Sequence, residues 1–204
     1  MAFEVSGSMA YKPRYITVAD HSLFHVTWQC HNKNWLLKWD WSKQLYYNLL
    51  VQYKEKYGLL FYAYHFMENH VHLAGKIGCL KDFSYFFRVV NNLFSRTLNK
   101  RLKRRGQAVM DRFLSSQIKD DRHMLAVLAY IDLNGVRSGR DRNPNETRWS
   151  SYHFYAHGKN DPLVVPVATY LGLGNTDIFR QQVYRQLVEM QRVLSSKDIK
   201  NCSV

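Results

Sequence analysis

The 204-residue chain is poor in the residues that interrupt regular structure, with only 10 glycines and 4 prolines. This scarcity, together with 46% hydrophobic residues, excludes collagen-like and low-complexity chains and predicts a globular protein with a buried core. The chain also has only three cysteines, Cys30, Cys79 and Cys202, and no CxxC pair. Such wide spacing argues against a zinc ribbon or a disulfide framework and is typical of the reducing cytoplasm.

Apolar runs and acidic residues are scarce as well. No run of about 18 apolar residues occurs, so we expect no membrane span. Residues 1–11 lack a basic head followed by an apolar stretch, so we expect no signal peptide. Asp and Glu number 16 against 29 Lys and Arg, which gives a net charge of +13, and 15% of the residues are aromatic. Many basic proteins are merely soluble, but this combination favours a nucleic-acid partner and a cytoplasmic, nucleoid-associated location.

Hydrophobic periodicity predicts alternating strands and helices. Strands are expected at residues 23–29, 59–66, 70–77 and 109–119, and helices from Asp40 or Ser42 to Gly58 and at residues 81–105, 121–138, 149–155 and 177–194. The polar link at residues 67–69 predicts a hairpin between the second and third strands. This order predicts an α+β domain with an antiparallel sheet and helices packed on one face. A helical C-terminal extension follows, and the pattern leaves its packing open.

The tripeptide His70-Val71-His72 falls in the third expected strand. Alternate side chains of a strand share a face, so both imidazoles would point one way while Val71 points into the core. Paired neutral imidazoles are natural ligands of a divalent metal. The alternative is an ordinary pair of sheet histidines, which this short pattern does not exclude.

A second group of polar residues shares one face of the expected helix at 121–138. At 100° per residue, that sector holds His123, Tyr130, Asn134 and Arg137, opposite a stripe of apolar residues. A tyrosine can act as a covalent nucleophile, an amide oxygen as a hard metal ligand and an arginine as a phosphate clamp. The spacing alone fits a half-exposed helix surface equally well.

Basic residues also cluster at the expected end of the preceding helix. They are Lys100, Arg101, Lys103, Arg104 and Arg105. A run of this kind is often a solvated helix end that complements the helix dipole. Because the whole chain is basic, we expect the cluster to contact the DNA backbone.

Three spaced motifs resemble one family, the single-tyrosine HUH transposases. Residues 67–74 (MENHVHLA) resemble its histidine motif MPNHVHL, residues 129–139 (AYIDLNGVRSG) resemble YIHLNPVRAG, and residues 149–152 match WSSY. The resemblance spans residues 11–157, with residues 158–204 as the extension. It is greatest to the REP-associated tyrosine transposases, and it implies a ferredoxin-like, RRM-like fold.

The resemblance implies a role for each residue of these motifs. His70, His72 and Asn134 would hold Mg²⁺ or Mn²⁺, and Tyr130 would attack the phosphate and form a covalent 5′-phosphotyrosine. Glu68, which replaces a proline of the motif, would add a carboxylate near the metal. Arg137 and His123 would contact the phosphate or support the metal ligands. Gly135 replaces a second proline of the motif, which loosens that helix end.

The implied activity is nicking and rejoining of single-stranded or hairpin DNA by a monomer or homodimer. One alternative is an inactive descendant that only binds hairpin DNA. A further alternative is a two-histidine phosphoesterase, because His25-Val26-Thr27 is an HxT motif, but His72 stands where its second motif needs Thr or Ser. An amidohydrolase barrel is excluded because eight βα units need about 250 residues.

Overall fold

Strands and helices alternate along the chain in the expected order. The structure is a computed structural model that describes residues 19–110 and 114–201. The strands are β1 Leu23–Gln29, β2 Leu60–Phe66, β3 His70–Lys76 and β4 Leu114–Ile118. The helices are α1 Asp40–Lys54, α2 Leu80–Arg101, α3 Asp121–Asp132, α4 Asn134–Arg137, α5 Tyr152–His157, α6 Ala168–Leu171 and α7 Asp177–Asn201. Short 3-10 turns lie at His31–Lys33 and Glu55–Tyr57.

The four strands form one sheet in the order β2-β3-β1-β4, and every neighbouring pair is antiparallel. The tight link between β2 and β3 is the expected hairpin, whereas β1 lies between strands that are distant from it in sequence. Up to β4 the chain therefore runs β-α-β-β-α-β, the ferredoxin-like arrangement. The α+β fold class is confirmed.

Helices α1 and α2 cover one face of the sheet with an aromatic core. Phe24 of β1 contacts Phe83 of α2, and Trp28 contacts Tyr46 of α1, each with ring centroids 4.9 Å apart. The apolar stripe expected on α2 is buried along its whole length: Phe83, Phe87, Val90, Phe94 and Leu98. A spacing of three and four residues thus located the buried face of this helix correctly.

The other face of the sheet is partly covered by α3, which packs on β2 and β3. Helix α7 of the C-terminal extension packs in turn on α3 and α5. The extension also makes a polar contact with the domain: the Tyr184 hydroxyl of α7 donates to Asp132 Oδ2 of α3 at 2.6 Å. Helix α3, which carries Tyr130, is thus held between the sheet and α7.

Several expected boundaries were wrong. Neither Asp40 nor Ser42 caps α1, because Trp39 is the N-cap residue and the Ser42 hydroxyl donates back to its carbonyl. The helix expected at 121–138 is interrupted at Leu133, which separates α3 from α4. The fourth strand is shorter than expected, although Val109 makes an isolated bridge to Cys30. Residues 111–113 of that expected strand lie outside the described residues.

Other differences concern the ends of helices. Helix α2 ends at Arg101, so the basic run continues into a turn in which Lys103 has a φ of 50°. The helix expected at 149–155 begins only at Tyr152, α7 extends to Asn201, and α6 was not expected. Among the described residues, no helix is long and apolar enough to cross a membrane.

Candidate active site

The paired histidines of β3 lie on the sheet face that α1 and α2 leave uncovered. Register places Thr27 of β1, His72 of β3 and His65 of β2 in one row across the sheet. His70 follows on the same face, with its ring centroid 5.0 Å from that of His72. Val71 between them is fully buried in the core. The alternation expected for this strand is therefore observed.

Hydrogen bonds engage the same nitrogen of both rings. His72 Nδ1 lies 3.1 Å from Thr27 Oγ1 and 3.2 Å from His25 Nε2. His70 Nδ1 donates to Asn69 Oδ1 at 2.7 Å. Within the described residues, the Nε2 atom of each ring is left without a hydrogen bond. Partners on Nδ1 that leave Nε2 available are the usual support of a metal-binding histidine.

Both rings are held in the neutral form that a metal ligand requires. Burial, reinforced by His25, His70 and His65, lowers the pKa of His72 to about 2. Burial also lowers the pKa of His70, and the nearby Arg140 guanidinium acts in the same direction. Neutral imidazoles present a lone pair to a metal without first losing a proton.

Helix α3 carries Tyr130, and α4, which follows directly after Leu133, carries Asn134. The core stripe of α3, Met124, Leu128 and Ile131, is fully buried, so the opposite face is turned toward the histidines. The Tyr130 ring is half-buried, with its centroid 6.0 Å from that of His72. All four residues implied by the resemblance, His70, His72, Tyr130 and Asn134, line one cleft.

One carbonyl oxygen orients two of the surrounding side chains. His65 Nδ1 donates to the Ile131 carbonyl at 2.9 Å, and Asn134 Nδ2 donates to the same oxygen at 3.2 Å. The Asn134 amide therefore turns its oxygen away from this bond. An amide oxygen is a suitable ligand for Mg²⁺ or Mn²⁺, and neutral imidazole is a common protein ligand of divalent metals.

The donor set therefore fits a divalent metal. His70 and His72 would supply imidazole nitrogens, and Asn134 would supply an oxygen one helical turn beyond Tyr130. Within the described residues, no three His, Cys, Asp or Glu side chains group closely enough to hold a metal. The candidate set contains only two residues of those types. Its third donor is the carboxamide.

Three residues were expected near the metal or the phosphate: Arg137, Glu68 and His123. Each has a different environment in the structure. The Arg137 guanidinium lies 4.7 Å from the centroid of the Tyr130 ring and is exposed. Glu68 forms an ion pair with Arg140, which gives its carboxylate a partner. His123 lies at the start of α3, where its Nδ1 accepts from the Lys119 N–H at 3.1 Å.

Two arginines of the basic cluster at residues 100–105 make contacts within the protein. Arg101 lies 4.1 Å from the centroid of the Trp41 ring. Arg104 donates to Asn99 Oδ1 at 2.8 Å and to the Gln107 carbonyl at 2.9 Å. The remaining members, Lys100, Lys103 and Arg105, are exposed.

Three residues beside the site were not assigned to it from the sequence: His25, Thr27 and His65. His25 and Thr27 form the HxT motif of β1, and the structure places both against His72 Nδ1. The only sequence signal that could have assigned His25 and Thr27 to the site was their polarity at alternate positions of β1. Their roles depend on which strands pair and in which register, and a strand pattern alone does not specify this.

A buried polar network lies behind α3. Asp132 is fully buried, and it accepts hydrogen bonds from Ser151 Oγ at 2.8 Å and Tyr184 OH at 2.6 Å. Burial raises its pKa to about 7, although the two hydroxyl donors act in the opposite direction. The network joins the helix of Tyr130, the second serine of the WSSY segment and α7.

The sheet order, the paired histidines and the adjacent tyrosine define a ferredoxin-like domain with a candidate metal and nucleophile site. Residues 19–134 match the family described as "Transposase IS200 like". Because this match covers more than half of the chain, the protein belongs to the IS200-like transposase family. Membership supports a transposase function and therefore a DNA-processing enzyme.

A solved structure shares the fold. It is the structure of a REP-associated tyrosine transposase bound to a REP hairpin, with a TM-score of 0.61 and 17% sequence identity. The match covers 78% of this chain and 93% of that one. At this identity the similarity shows the fold alone. No curated protein sequence matches the chain.

Proposed function

We propose that the protein is a metal-dependent transposase that nicks and rejoins single-stranded DNA next to hairpins, with Tyr130 as its nucleophile. The observation that carries the proposal is the convergence of His70, His72, Tyr130 and Asn134 on one cleft. These residues come from one strand and from two helices joined at Leu133. Family membership supplies the transposase function, and the solved REP-associated transposase is itself bound to a hairpin.

Three side chains of this site would bind the metal. His70 and His72 have Nε2 available, and Asn134 has its amide oxygen turned away from the Ile131 carbonyl. A bound Mg²⁺ or Mn²⁺ would polarise the scissile phosphate and offset charge on its oxygens. In the Nδ1–H tautomer of His72, which leaves the Nε2 lone pair for the metal, the Thr27 hydroxyl and His25 Nε2 would share the single Nδ1–H as acceptors and orient the ring.

The covalent step belongs to Tyr130. Its phenolic oxygen forms a bond to phosphorus while the bond from phosphorus to the 3′ oxygen breaks. The phenol proton passes to solvent, and the departing 3′ oxygen takes up a proton to become a free hydroxyl. The exposed Arg137, whose guanidinium lies over the Tyr130 ring, would bind a phosphate oxygen during this step. Attack by another strand's 3′-OH reverses the step, so rejoining needs no ATP.

A single substitution tests this proposal. Tyr130→Phe removes one oxygen and keeps the ring contacts with His25 and His72, so the fold should be retained. Incubated with labelled hairpin-bearing single-stranded DNA and Mg²⁺, the parent protein should give a covalent adduct on a denaturing gel, whereas the variant should give none. Mass spectrometry should locate the 5′-phosphate on the peptide that contains Tyr130.

Tyr152→Phe is the matched control, because Tyr152 is buried outside the site and should leave the adduct yield unchanged. An adduct that survives in Tyr130→Phe, or that maps to a different tyrosine, contradicts the proposal. An intact parent protein that binds hairpin DNA but forms no adduct under these conditions would favour the inactive, DNA-binding alternative.

A further inference from the structure

A cleft of about 1750 Å³ extends from the candidate active site along one side of α2. Its lining includes His70, His72, Tyr130 and Asn134. Its long wall is formed by α2 between Lys81 and Asn99. At about 1.5 Å per residue this wall is about 27 Å long. That length corresponds to about eight nucleotides of a stacked strand at ~3.4 Å each.

The wall of the cleft is the polar stripe of α2. Tyr85, Arg88, Asn92 and Arg96 recur at intervals of three or four residues, and all four are exposed. They lie on the side of α2 that faces away from its buried phenylalanines. The Arg88 guanidinium lies over the Tyr85 ring, 4.2 Å from its centroid, and both side chains are exposed.

The charge of the lining is one-sided. Three cationic side chains line the cleft, namely Lys81, Arg88 and Arg96, and its described lining residues include no carboxylate. This bias is notable because the chain contains 16 acidic residues. Cationic side chains without a carboxylate among the described lining residues favour a polyanion as the ligand.

Amides make up the rest of the polar lining. There are six of them: Gln29, Asn91, Asn92, Asn99, Gln107 and Asn134. Asn91 accepts a hydrogen bond from the Tyr46 hydroxyl, and Asn99 is engaged by Arg104 and the Gly106 carbonyl. Asn92 is exposed on the wall. Carboxamides pair with base edges, adenine in particular, and such edges are open in a single strand.

The basic cluster at residues 100–105 competes with the α2 stripe as the place where DNA binds. None of its five charged residues lines the cleft. Two of its arginines are occupied, Arg101 by Trp41 and Arg104 by Asn99 and Gln107. The α2 stripe, in contrast, is continuous with the candidate nucleophile.

We propose that the α2 wall of this cleft binds the single-stranded DNA segment that leads to Tyr130. Lys81, Arg88 and Arg96 contact its phosphates, the Tyr85–Arg88 pair stacks against a base, and Asn92 reads a base edge. The proposal rests on the proposed function for the identity of the polyanion. It goes beyond that function by placing the principal contact on α2 and by assigning base recognition to the protein.

Binding of uncleaved oligonucleotides tests the phosphate contacts. The probes are fluorescent oligothymidylate and oligoadenylate of about 12 nucleotides, a typical length for single-strand sites. Affinity is measured by anisotropy without metal over a range of salt concentrations. Arg88→Gln with Arg96→Gln should reduce the slope of log affinity against log salt by about 1.4, since each phosphate contact on a single strand contributes about 0.7.

Two further double variants remove the same charge elsewhere. Lys56→Gln with Lys76→Gln changes exposed residues that do not line the cleft, and should leave the slope within error of the parent value. Lys100→Gln with Lys103→Gln tests the basic cluster. If this pair lowers the slope as much as the α2 pair, or if the α2 pair has no effect, the assignment to α2 is overturned.

Base recognition has its own readout. Asn92→Ala should change the affinity ratio between oligoadenylate and oligothymidylate by about fivefold or more while the salt slope stays constant. An unchanged ratio overturns base reading by Asn92.

The adduct assay separates the cleft proposal from the proposed function. If the variants show these binding effects but the parent protein forms no adduct, the proposed chemistry alone is refuted. If the parent forms the adduct but the variants show no binding effects, the cleft proposal alone is refuted.

Discussion

Asp132 offers the sharpest test of how α3 is held, because it is a fully buried carboxyl whose partners are both hydroxyls. Burial raises its pKa from an ordinary 3.8 to about 7. Below pH 4 the folded and unfolded chains both carry the proton. As the pH rises toward 7, the unfolded chain loses its proton while the folded chain keeps it, so this group's contribution to stability is lost across that window.

Asp132→Asn removes the titration and preserves the shape of the side chain. A shift of about three pKa units corresponds to about 4 kcal/mol, at about 1.4 kcal/mol per unit. The free energy of unfolding of the parent, minus that of the variant, should therefore fall by up to about 4 kcal/mol between pH 4 and pH 7 and then level off. The carboxamide has one acceptor oxygen instead of two, which adds an offset independent of pH.

Urea denaturation of both proteins at several pH values measures this difference curve. Tyr184→Phe supplies a second check, because the Tyr184 hydroxyl lowers the pKa of Asp132. Its loss should raise that pKa further and move the upper end of the window above pH 7. A difference curve that is flat or rises from pH 4 to pH 7 would refute the reasoning.

Two further predictions concern the site itself. His72→Ala or His70→Ala should abolish Mg²⁺- or Mn²⁺-dependent adduct formation and leave the metal-free affinity for oligothymidylate within about twofold, whereas adduct formation at the parent rate would contradict the metal assignment. Gly135→Ala should destabilise the protein by about 1 kcal/mol, since a Cβ there would lie 1.8 Å from Asp141 Oδ2 and the Asp141 side chain would have to turn away. Urea denaturation of a double variant that adds Asp141→Ala should show most of that loss restored, and an equal loss in both backgrounds would disprove the clash.

Local periodicity predicted the parts of the fold that depend on one element at a time. The buried stripe of α2 and the common face of His70 and His72 follow from residue spacing within a single helix or strand. The motif resemblance supplied Tyr130 and Asn134, whose spacing alone was equally consistent with an ordinary helix surface. The structure places both in the cleft with the histidines.

Contacts between distant elements were not predictable in this way. The row of Thr27, His72 and His65 depends on strand register, and the use of Arg101 and Arg104 depends on a tryptophan in α1 and a loop after α2. A continuous apolar pattern gave no sign that α3 would end where Asp132 meets Ser151 and Tyr184, two partners from later in the chain.

The two departures from the transposase motifs are each matched by a nearby residue outside those motifs. Glu68, in the place of a proline, is paired with Arg140, so its charge is balanced rather than left beside the histidines. Gly135, in the place of the other proline, leaves room for the Asp141 carboxylate, which a Cβ would displace. Arg140 and Asp141 are adjacent in the chain, and the N–H groups of both donate to the Gly135 carbonyl, at 3.0 and 3.1 Å. One short segment after α4 thus contacts both departures, Glu68 through the Arg140 side chain and Gly135 through the Asp141 carboxylate.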